Sequence, residues 1–490
     1  MRLSTLARLA GIQLEGGDPD IGGISTDSRS AGSGDLFVAI HGARTDGMEF
    51  IPEAIKRGAA AICAVAPVAG IPSLIAAEPR RALADLAAAF YGYPARELTL
   101  IGITGSLGKT STALFIEAAL GGSESTIGVI GSLGIRYRGM TAETGMTTPE
   151  SPSIHLALRE MADSGIRTVI VEVTTHAILQ HRVAGLQFAL GIMTNLVPDE
   201  HLEFHATPEH YVRTKTRFFD MLLAGAPLIY NGDDATVRKV VRPLVRPLVS
   251  VAATDEGNPD VEIVVERVEM RYSAFSLRIP RPIPRLSGDA LSPADISVGR
   301  FPIPGRQQVM NAALALTTAI VAGSSPAAAT KALQSVRPLR RRMEVLEFTS
   351  TTILDDTVGN PASILSIFET MRAFPDSPVR IVYAIRGARG TAINAANAKA
   401  LASGVAERAA TLTVTSSEDA ADERNRVTAA ERAAVLDVLT LEGTAFDFEP
   451  TLERAIKRTL ETAGKDDIVL FLGAQGMDGG ADLAREVLRK

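Results

Sequence analysis

The sequence predicts an α/β protein of three domains, with a parallel sheet in the middle one and a Rossmann-like α/β unit at the C-terminal end. Three observations carry this reading. From Leu98 onward, apolar strand signals alternate with helical patterns, as crossover connections between parallel strands require. The run LTLIGITGSLGKTST (98–112) joins a buried strand to a helix through a glycine turn. After about residue 336 the strand–helix alternation starts again, following a stretch of different texture. The expected boundaries are 1–96, 97–335 and 336–490, a division that suits 490 residues.

The first unit carries short apolar strands at Asp35–Ile40 and Ala60–Val65 with a helix over Ile51–Arg57 between them. Between Gly22 and Asp46 lie two polar turns, STDSRSAGSG and HGARTDG, that can face a ligand. In the central unit the expected strands are Leu98–Ile103, Ile127–Ile130, Thr168–Val173, Leu190–Asn195 and Leu228–Asn231. The expected helices are Lys109–Leu120, Ser153–Ser164 and Pro208–Leu223. Residues 261–305 alternate as antiparallel strands and then become proline-rich, reading as an appendage before a helix at about Val309–Ala322. The segment RPLRRRMEVLE (337–347) reads as a linker into the third unit, whose strands fall at Thr352–Asp355, Arg380–Ala384, Thr411–Thr415 and Asp467–Leu472.

Composition excludes several classes. Hydrophobic content of 46% with 22% charged residues describes a folded globular chain. A net charge of −6 argues against broad nucleic-acid binding, and no apolar run reaches membrane-spanning length. The single cysteine, Cys63, sits in an apolar run, so it reads as a core residue that forms no intramolecular disulfide. A cytoplasmic monomer is the expectation.

The glycine turn is the most informative stretch. Gly105 and Gly108 let the backbone N–H groups of Gly105, Ser106, Leu107 and Gly108 close around phosphate oxygens at a helix N-terminus. Lys109 supplies a positive charge for the outer phosphates, and Thr110 or Ser111 supplies a hydroxyl for Mg²⁺. The glycines at 102, 105 and 108 make this a variant of the strict Walker spacing, and the chain is expected to bind ATP. Six of the seven histidines fall between 155 and 210. His201 and His205, four apart, have a spacing that binds zinc from one helix face. Alternatively, His201 and Glu172, at the end of an apolar strand, complete a Mg²⁺ site beside the triphosphate.

Taken together, STDSRSAGSGDLFVAIHGARTDG, TGSLGKTST, the TTP at 147–149, VEVTTHAILQHRV, TNLVPDEHLEFH, YVRTKTRFF, PGRQQVMNAALA and RRMEVL resemble the Mur ligases. These are ATP-dependent amide-forming enzymes of peptidoglycan synthesis, and the resemblance is strongest to the branch that adds the third peptide residue (MurE). It implies a UDP-sugar-binding domain, a central P-loop ATPase and a C-terminal domain that receives an amino acid. The implied cation ligands are Thr110, Glu172, His201 and Lys215, the last as a carbamate; Lys109, Glu172, His201 and Lys215 form the implied catalytic set. Besides residues 105–111, Asn311, Arg342 and Asp356 match positions associated with ATP. Thr26, Ser28, Ala43, Arg44 and Thr45 match contacts to the uridine end of a UDP-muramoyl peptide. Thr147, Thr148, Thr174, Gln180 and Arg182 match contacts to its sugar–peptide part, and Arg389 matches an arginine that meets the amino acid.

Departures gather in the third unit. The family's Asp-Tyr-Ala-His-x-Pro signature stands as DDTVGNP, with Gly359 at the histidine. Its Gly-Asp-Arg-Asp run stands as GARG (387–390), and its terminal Gly-Lys-Gly-His-Glu as GAQGMD (473–478). SEDAADER replaces the Asp-Asn-Pro-Arg motif of enzymes that take diaminopimelate, and NLVPDEHLEFH carries one extra residue before its histidine pair. The sequence therefore predicts a ligase that adds an amino acid other than diaminopimelate, or one bound differently, to UDP-N-acetylmuramoyl-L-Ala-D-Glu. A Mur-like ligase diverted to another carboxylate and amine is the second reading, and a non-catalytic nucleotide-binding partner subunit the third. Glu418, Asp419, Asp422 and Glu423 form either a solvated loop, the favoured reading, or a loop facing a side-chain amine such as that of lysine or ornithine.

Overall fold

The computed structural model describes residues 1–42, 45–121, 126–198, 205–254, 256, 258–348 and 351–488. Three large sheets organise the chain, and each lies where the apolar runs of one unit place it. The N-terminal sheet orders Gln13–Glu15, Ser73–Ile75, Ala61–Ala64, Asp35–Val38 and Gly23–Ser25, with the last four mutually parallel. Helices Leu3–Ala10 and Pro79–Phe90 pack together over this sheet through Leu3, Leu6, Leu83 and Leu86. Cys63 is buried in the sheet, and burial pushes its thiol up to about 12, which suits a core residue.

Among the described residues the central sheet has eleven strands. At its middle lies Thr99–Thr104, flanked by Leu190–Met193 and Thr168–Glu172, both parallel to it. Parallel pairing continues outward through Leu228–Asn231, Leu248–Ala252 and Val261–Glu269 on one side and Ile127–Gly131 on the other. Thr99–Thr104, Thr168–Glu172 and Leu190–Met193 are buried on both faces and are rich in Val, Ile and Leu for that reason. The expected appendage is an extension of the same sheet: Val261–Glu269 pairs parallel to Leu248–Ala252 and antiparallel to Tyr272–Ile279, which pairs with Ala294–Phe301. Gly102 belongs to packing and not to the phosphate loop, since a Cβ there would fall 2.6 Å from the Phe218 ring.

Two further expectations are corrected. The helix begun at Pro208 ends at Thr216 and tightens into a 3₁₀ turn over Arg217–Met221, which buries Phe218 and Phe219. The segment read as a linker forms a strand, Glu344–Glu347, antiparallel to Thr352–Thr357 at the edge of the third sheet. The remaining strands of that sheet, Ile468–Gly473, Val379–Ala384, Thr411–Thr415 and Asp447–Glu449, run parallel. The Arg306–Val321 helix is apolar nearly all round and buried accordingly. It packs on the Lys109–Ala119 helix, and one apolar core runs from Ile103 through Leu314 to Met343 and Ile364. The central and third units are joined by that core.

Candidate active site

Thr99–Thr104 delivers the chain into the loop 105–108 at the carboxyl edge of the sheet, where sites in such sheets form. Gly105 has φ +149 and Gly108, which precedes the Lys109–Ala119 helix, has φ +82. Both positions also need the absence of a side chain. A Cβ at 108 would fall 2.5 Å from Asn311 Oδ1, and one at 105 closer than 3.0 Å to Thr194 Oγ1. Asn311, buried in the Arg306–Val321 helix, is thus pressed against the loop.

Side chains from neighbouring strand ends brace the loop. Leu107 N donates to Asn195 Oδ1 at 2.8 Å, and Leu107 O accepts from Asn195 Nδ2 at 3.0 Å and Thr194 Oγ1 at 2.6 Å. The Ser106 and Tyr211 hydroxyls share a buried hydrogen bond of 2.7 Å. Lys109 Nζ donates to Gly105 O at 2.7 Å and Ser106 O at 3.0 Å. Lys215, fully buried, donates to Gly105 O at 2.9 Å and lies 4.9 Å from the centroid of the Tyr211 ring. Two lysines therefore converge on one carbonyl of the loop.

Glu172 ends its strand directly beside them. Its carboxylate accepts from Thr110 Oγ1 at 2.9 Å and Ser132 N at 2.9 Å, and its own carbonyl accepts from Thr148 Oγ1 at 2.7 Å. Burial pushes the carboxyl up from the ordinary carboxylate range; the Ser132 N–H, Lys109, Thr110 and Arg342 pull it back down. Thr148 and Thr174 hydroxyls lie 3.2 Å apart, and Arg182 ties this region together by donating to Thr148 O and Gln180 Oε1 and pairing with Glu150 at 3.0 Å.

The loop and part of its surroundings line a cavity of about 670 Å³ between the central and third units. Gly105, Ser106, Leu107, Gly108, Lys109, Thr110, Ser111, Thr147, Thr148, Thr174, Arg182, Lys215, Asn311, Arg342, Asp356 and Arg389 all contribute to its wall. Glu172 and Gln180 sit behind it through Thr110 and Arg182. On the far wall Arg342 lies near Asp356, whose carboxyl is pushed up by burial and pulled down first by Arg342 and then by the Met343 N–H at 2.9 Å.

Other expected site residues stand apart. Thr26, Ser28 and Thr45 belong to loops of the N-terminal sheet and do not line the cavity; Ser28 donates to Glu53 at 2.8 Å. Ala43, Arg44 and His201 lie outside the described residues. His205 is buried edge-on to the His210 and Tyr211 rings, and among the described residues no group of three His, Cys, Asp or Glu side chains forms a metal cluster. Ser132, Thr194, Tyr211 and Arg386 were not singled out by sequence; the first three are single hydroxyls whose role depends on strand ends brought together across the sheet. Asp419 and Asp422 do not face the cavity. Asp419 accepts from Leu452 N and Glu453 N, and Asp422 from Asn425.

A glycine loop at the head of a helix, two lysines on that loop and a second α/β unit across the cavity define a phosphate-loop nucleotide-binding protein of several domains. Comparison with known proteins makes the class specific. Residues 20–91 match the model of the Mur ligase family catalytic domain, 103–319 the Mur ligase middle domain, and 341–475 the Mur ligase glutamate ligase domain. The chain is 32% identical over 482 residues to a UDP-N-acetylmuramyl-tripeptide synthetase of Roseiflexus sp. (strain RS-1), covering 94% of this chain and 91% of that one. It is 30% identical over 483 residues to the UDP-N-acetylmuramoyl-L-alanyl-D-glutamate–2,6-diaminopimelate ligase of Geobacillus thermodenitrificans, with coverage of 96% and 94%. In fold it is similar to MurF from Acinetobacter baumannii, with a TM-score of 0.68 at 19% identity over 99% of this chain and 98% of that one. It is also similar to MurF ligase from Thermotoga maritima solved with ADP, with a TM-score of 0.65 at 20% identity and coverage of 95% and 98%. The chain belongs to the Mur ligase family of ATP-dependent ligases.

Proposed function

We propose that this chain forms an amide bond between the carboxylate of UDP-N-acetylmuramoyl-L-Ala-D-Glu and an amino acid, using ATP through an acyl phosphate, in peptidoglycan precursor synthesis. The observation that carries the reading is the cavity itself, in which the Gly105–Ser111 loop faces Asp356 and Arg389 of the third unit. The division into UDP-sugar, ATP and amino-acid domains at about 1–96, 97–335 and 336–490 follows the same reading, as does action in the cytoplasm as a monomer.

The chemistry assigns each wall a task. A carboxylate is a poor electrophile, so ATP must first phosphorylate it; the amine then attacks and phosphate leaves through a tetrahedral intermediate. The loop N–H groups cradle the phosphates, and Lys109, held at the loop by two carbonyls, offsets charge on the phosphoryl group in transit. Thr148, Thr174 and Arg182 orient the acceptor's sugar–peptide part. Closure between the units brings in the amine and keeps water from the acyl phosphate.

The donor set also suits Mg²⁺. A buried carboxylate and a hydroxyl meeting at 2.9 Å are hard oxygen donors beside a phosphate loop. Thr110 and Glu172 would hold the ion, with His201 and a carbamylated Lys215 completing the set. When bound it supplies charge neutralisation for phosphoryl transfer. The test is phosphate release with ATP, the UDP-muramoyl dipeptide and a panel of amino acids. Release should need both acceptor and amino acid, vanish with EDTA, and return with Mg²⁺ or Mn²⁺. Release that ignores the UDP-muramoyl dipeptide but responds to another carboxylate overturns the proposed acceptor.

A further inference from the structure

Away from the phosphate loop, the cavity wall includes the turn 386–389 of the third unit, with Asn425 beside it. This turn joins the Val379–Ala384 strand to the Thr391–Arg408 helix in a conformation that its own sequence does not favour. Ala388 has φ +57, a left-handed conformation that strains any residue with a Cβ. Gly387 packs so closely on the Asn425 and Arg426 backbone that no side chain fits. Asn394 Nδ2 donates to Arg386 O at 2.8 Å and Gly390 O at 3.0 Å, and Arg386 Nη1 donates to Gly359 O at 2.6 Å.

Glu431 holds the turn from behind the wall. Arg389 N and Gly390 N both donate to its Oε1, at 2.9 and 2.8 Å. Its Oε2 accepts from Thr428 N and Thr428 Oγ1, each at 2.9 Å, in the capping box that starts the Ala429–Leu441 helix. One buried carboxylate thus accepts four hydrogen bonds and ties two helix starts together. The Thr391–Arg408 helix has no side-chain cap at Gly390, so Glu431 also brings the negative charge that a helix N-terminus favours. Burial pushes the Glu431 carboxyl up, but the N–H groups of Thr428, Gly390 and Arg389 outweigh it and hold the group below the ordinary carboxylate range. The helix that carries Glu431 is itself fixed, because Val435 and Leu439 share a core with Leu401 and Val405 of the Thr391–Arg408 helix. The turn's own sequence, GARG, contains no acid; this one arrives from 42 positions along the chain.

We infer that Glu431 is a positioning residue for the amino-acid step: its carboxylate fixes the backbone of residues 389 and 390 and so sets where Arg389 meets the incoming amino acid. The inference rests on the reading above, in which Arg389 receives that substrate. A turn ordered before the substrate arrives spares the ordering cost on binding. Glu431 therefore acts on affinity for the amino acid and not on phosphoryl transfer, which belongs to the loop 105–108.

Steady-state phosphate release tests it. The parent is first run with ATP, the UDP-muramoyl dipeptide and each of the standard amino acids, ornithine and diaminopimelate. The variants are then compared on the amino acid with the highest kcat/KM. Glu431→Ala should raise the KM for that amino acid by about 10- to 150-fold, the loss of charge-assisted hydrogen bonding. Its kcat should stay within about threefold and its KM for ATP within about twofold. Glu431→Gln keeps an acceptor oxygen at the same reach and should stay within about tenfold of the parent. Thr428→Ala separates positioning from helix stability. It removes the cap hydroxyl and should lower the melting temperature as Glu431→Ala does, yet leave the amino-acid KM within about threefold, because Oε1 still meets the turn. Where Glu431→Ala fails to fold, Glu431→Asp, one methylene short of the turn, should show the same rise in KM. An amino-acid KM unchanged in the Glu431 variants, an equal rise in Thr428→Ala, or a parallel rise in the KM for ATP would overturn the inference. No release with any amino acid in the parent would refute the amino-acid-adding reading, and this role of Glu431 with it.

Discussion

Replacing Gly105 by alanine tests whether the loop is as tightly determined as its contacts state. At φ +149 an L side chain is strained by about 1–3 kcal/mol. The new Cβ also displaces Thr194 Oγ1, which now donates to Leu107 O at 2.6 Å. Losing that bond adds about 1 kcal/mol, for a total of about 2–4 kcal/mol. If the native state carries the strain, the melting transition of the central unit falls by about 5–15 °C. If the loop opens locally to release it, the closed form is depleted and nucleotide affinity drops by about 30- to 900-fold. Scanning calorimetry and titration with a non-hydrolysable ATP analogue read the two outcomes. A variant that melts within about 1 °C of the parent and binds nucleotide within about twofold refutes the argument.

Three other outcomes follow from the same contacts. Tyr211→Phe removes the hydroxyl shared with Ser106 and should cost about 1 kcal/mol in urea unfolding while raising the KM for ATP; unchanged values for both would remove Tyr211 from the loop's support. Lys215→Ala should abolish turnover while the fold survives by circular dichroism, and small carboxylic acids should restore part of it if the lysine acts as a carbamate; full activity in the variant would exclude Lys215 from the mechanism. Asp355 is buried, and burial pushes its carboxyl up to about 7 despite the Arg341 guanidinium beside it. Because the folded state holds this proton more tightly than the unfolded chain, its contribution to stability is present below about pH 4 and is lost as pH rises toward 7. Relative to Asp355→Asn, the parent should therefore lose stability between pH 4 and 7.5 in denaturant titrations, and a parallel pair of curves would contradict the assignment.

Much of this was legible in the sequence, for physical reasons that differ by element. Buried parallel strands advertise themselves as unbroken apolar runs, so Leu228–Asn231 and Thr411–Thr415 have the expected bounds. The phosphate loop was legible because its glycines and lysine are adjacent in the chain. Gly102 counts in the motif's glycine spacing, but its use is the close approach of Phe218, and such a glycine looks the same in sequence as one needed for a turn. Glu344–Glu347 was missed because an edge strand one face of which is half-exposed lacks the continuous apolar signal. The Arg386–Gly359 contact spans 27 positions, and no local pattern couples a glycine in one loop to a guanidinium in another.

The entry to the third unit shows how a short segment sets the geometry of the whole cavity. Arg341 and Met343 both have positive φ, +58 and +52, and between them the chain turns two successive arginines in opposite directions. Arg341 points inward, where it donates to Gly473 O at 2.6 Å and Ala474 O at 2.8 Å and pairs with Asp355 at 3.2 Å and with Asp478. Arg342 points outward into the cavity wall beside Asp356. Carbonyl acceptors from the end of the Ile468–Gly473 strand thus hold the backbone that presents Arg342 to the phosphate loop. A buried guanidinium stripped of such partners is costly, so the clamp binds the linker to one arrangement of the third sheet. The strain of two left-handed residues, about 1–3 kcal/mol each, is stable only because those contacts over-determine it. The segment that sequence alone reads as a mere connection thus fixes how Arg342 and Asp356 are presented to the cavity.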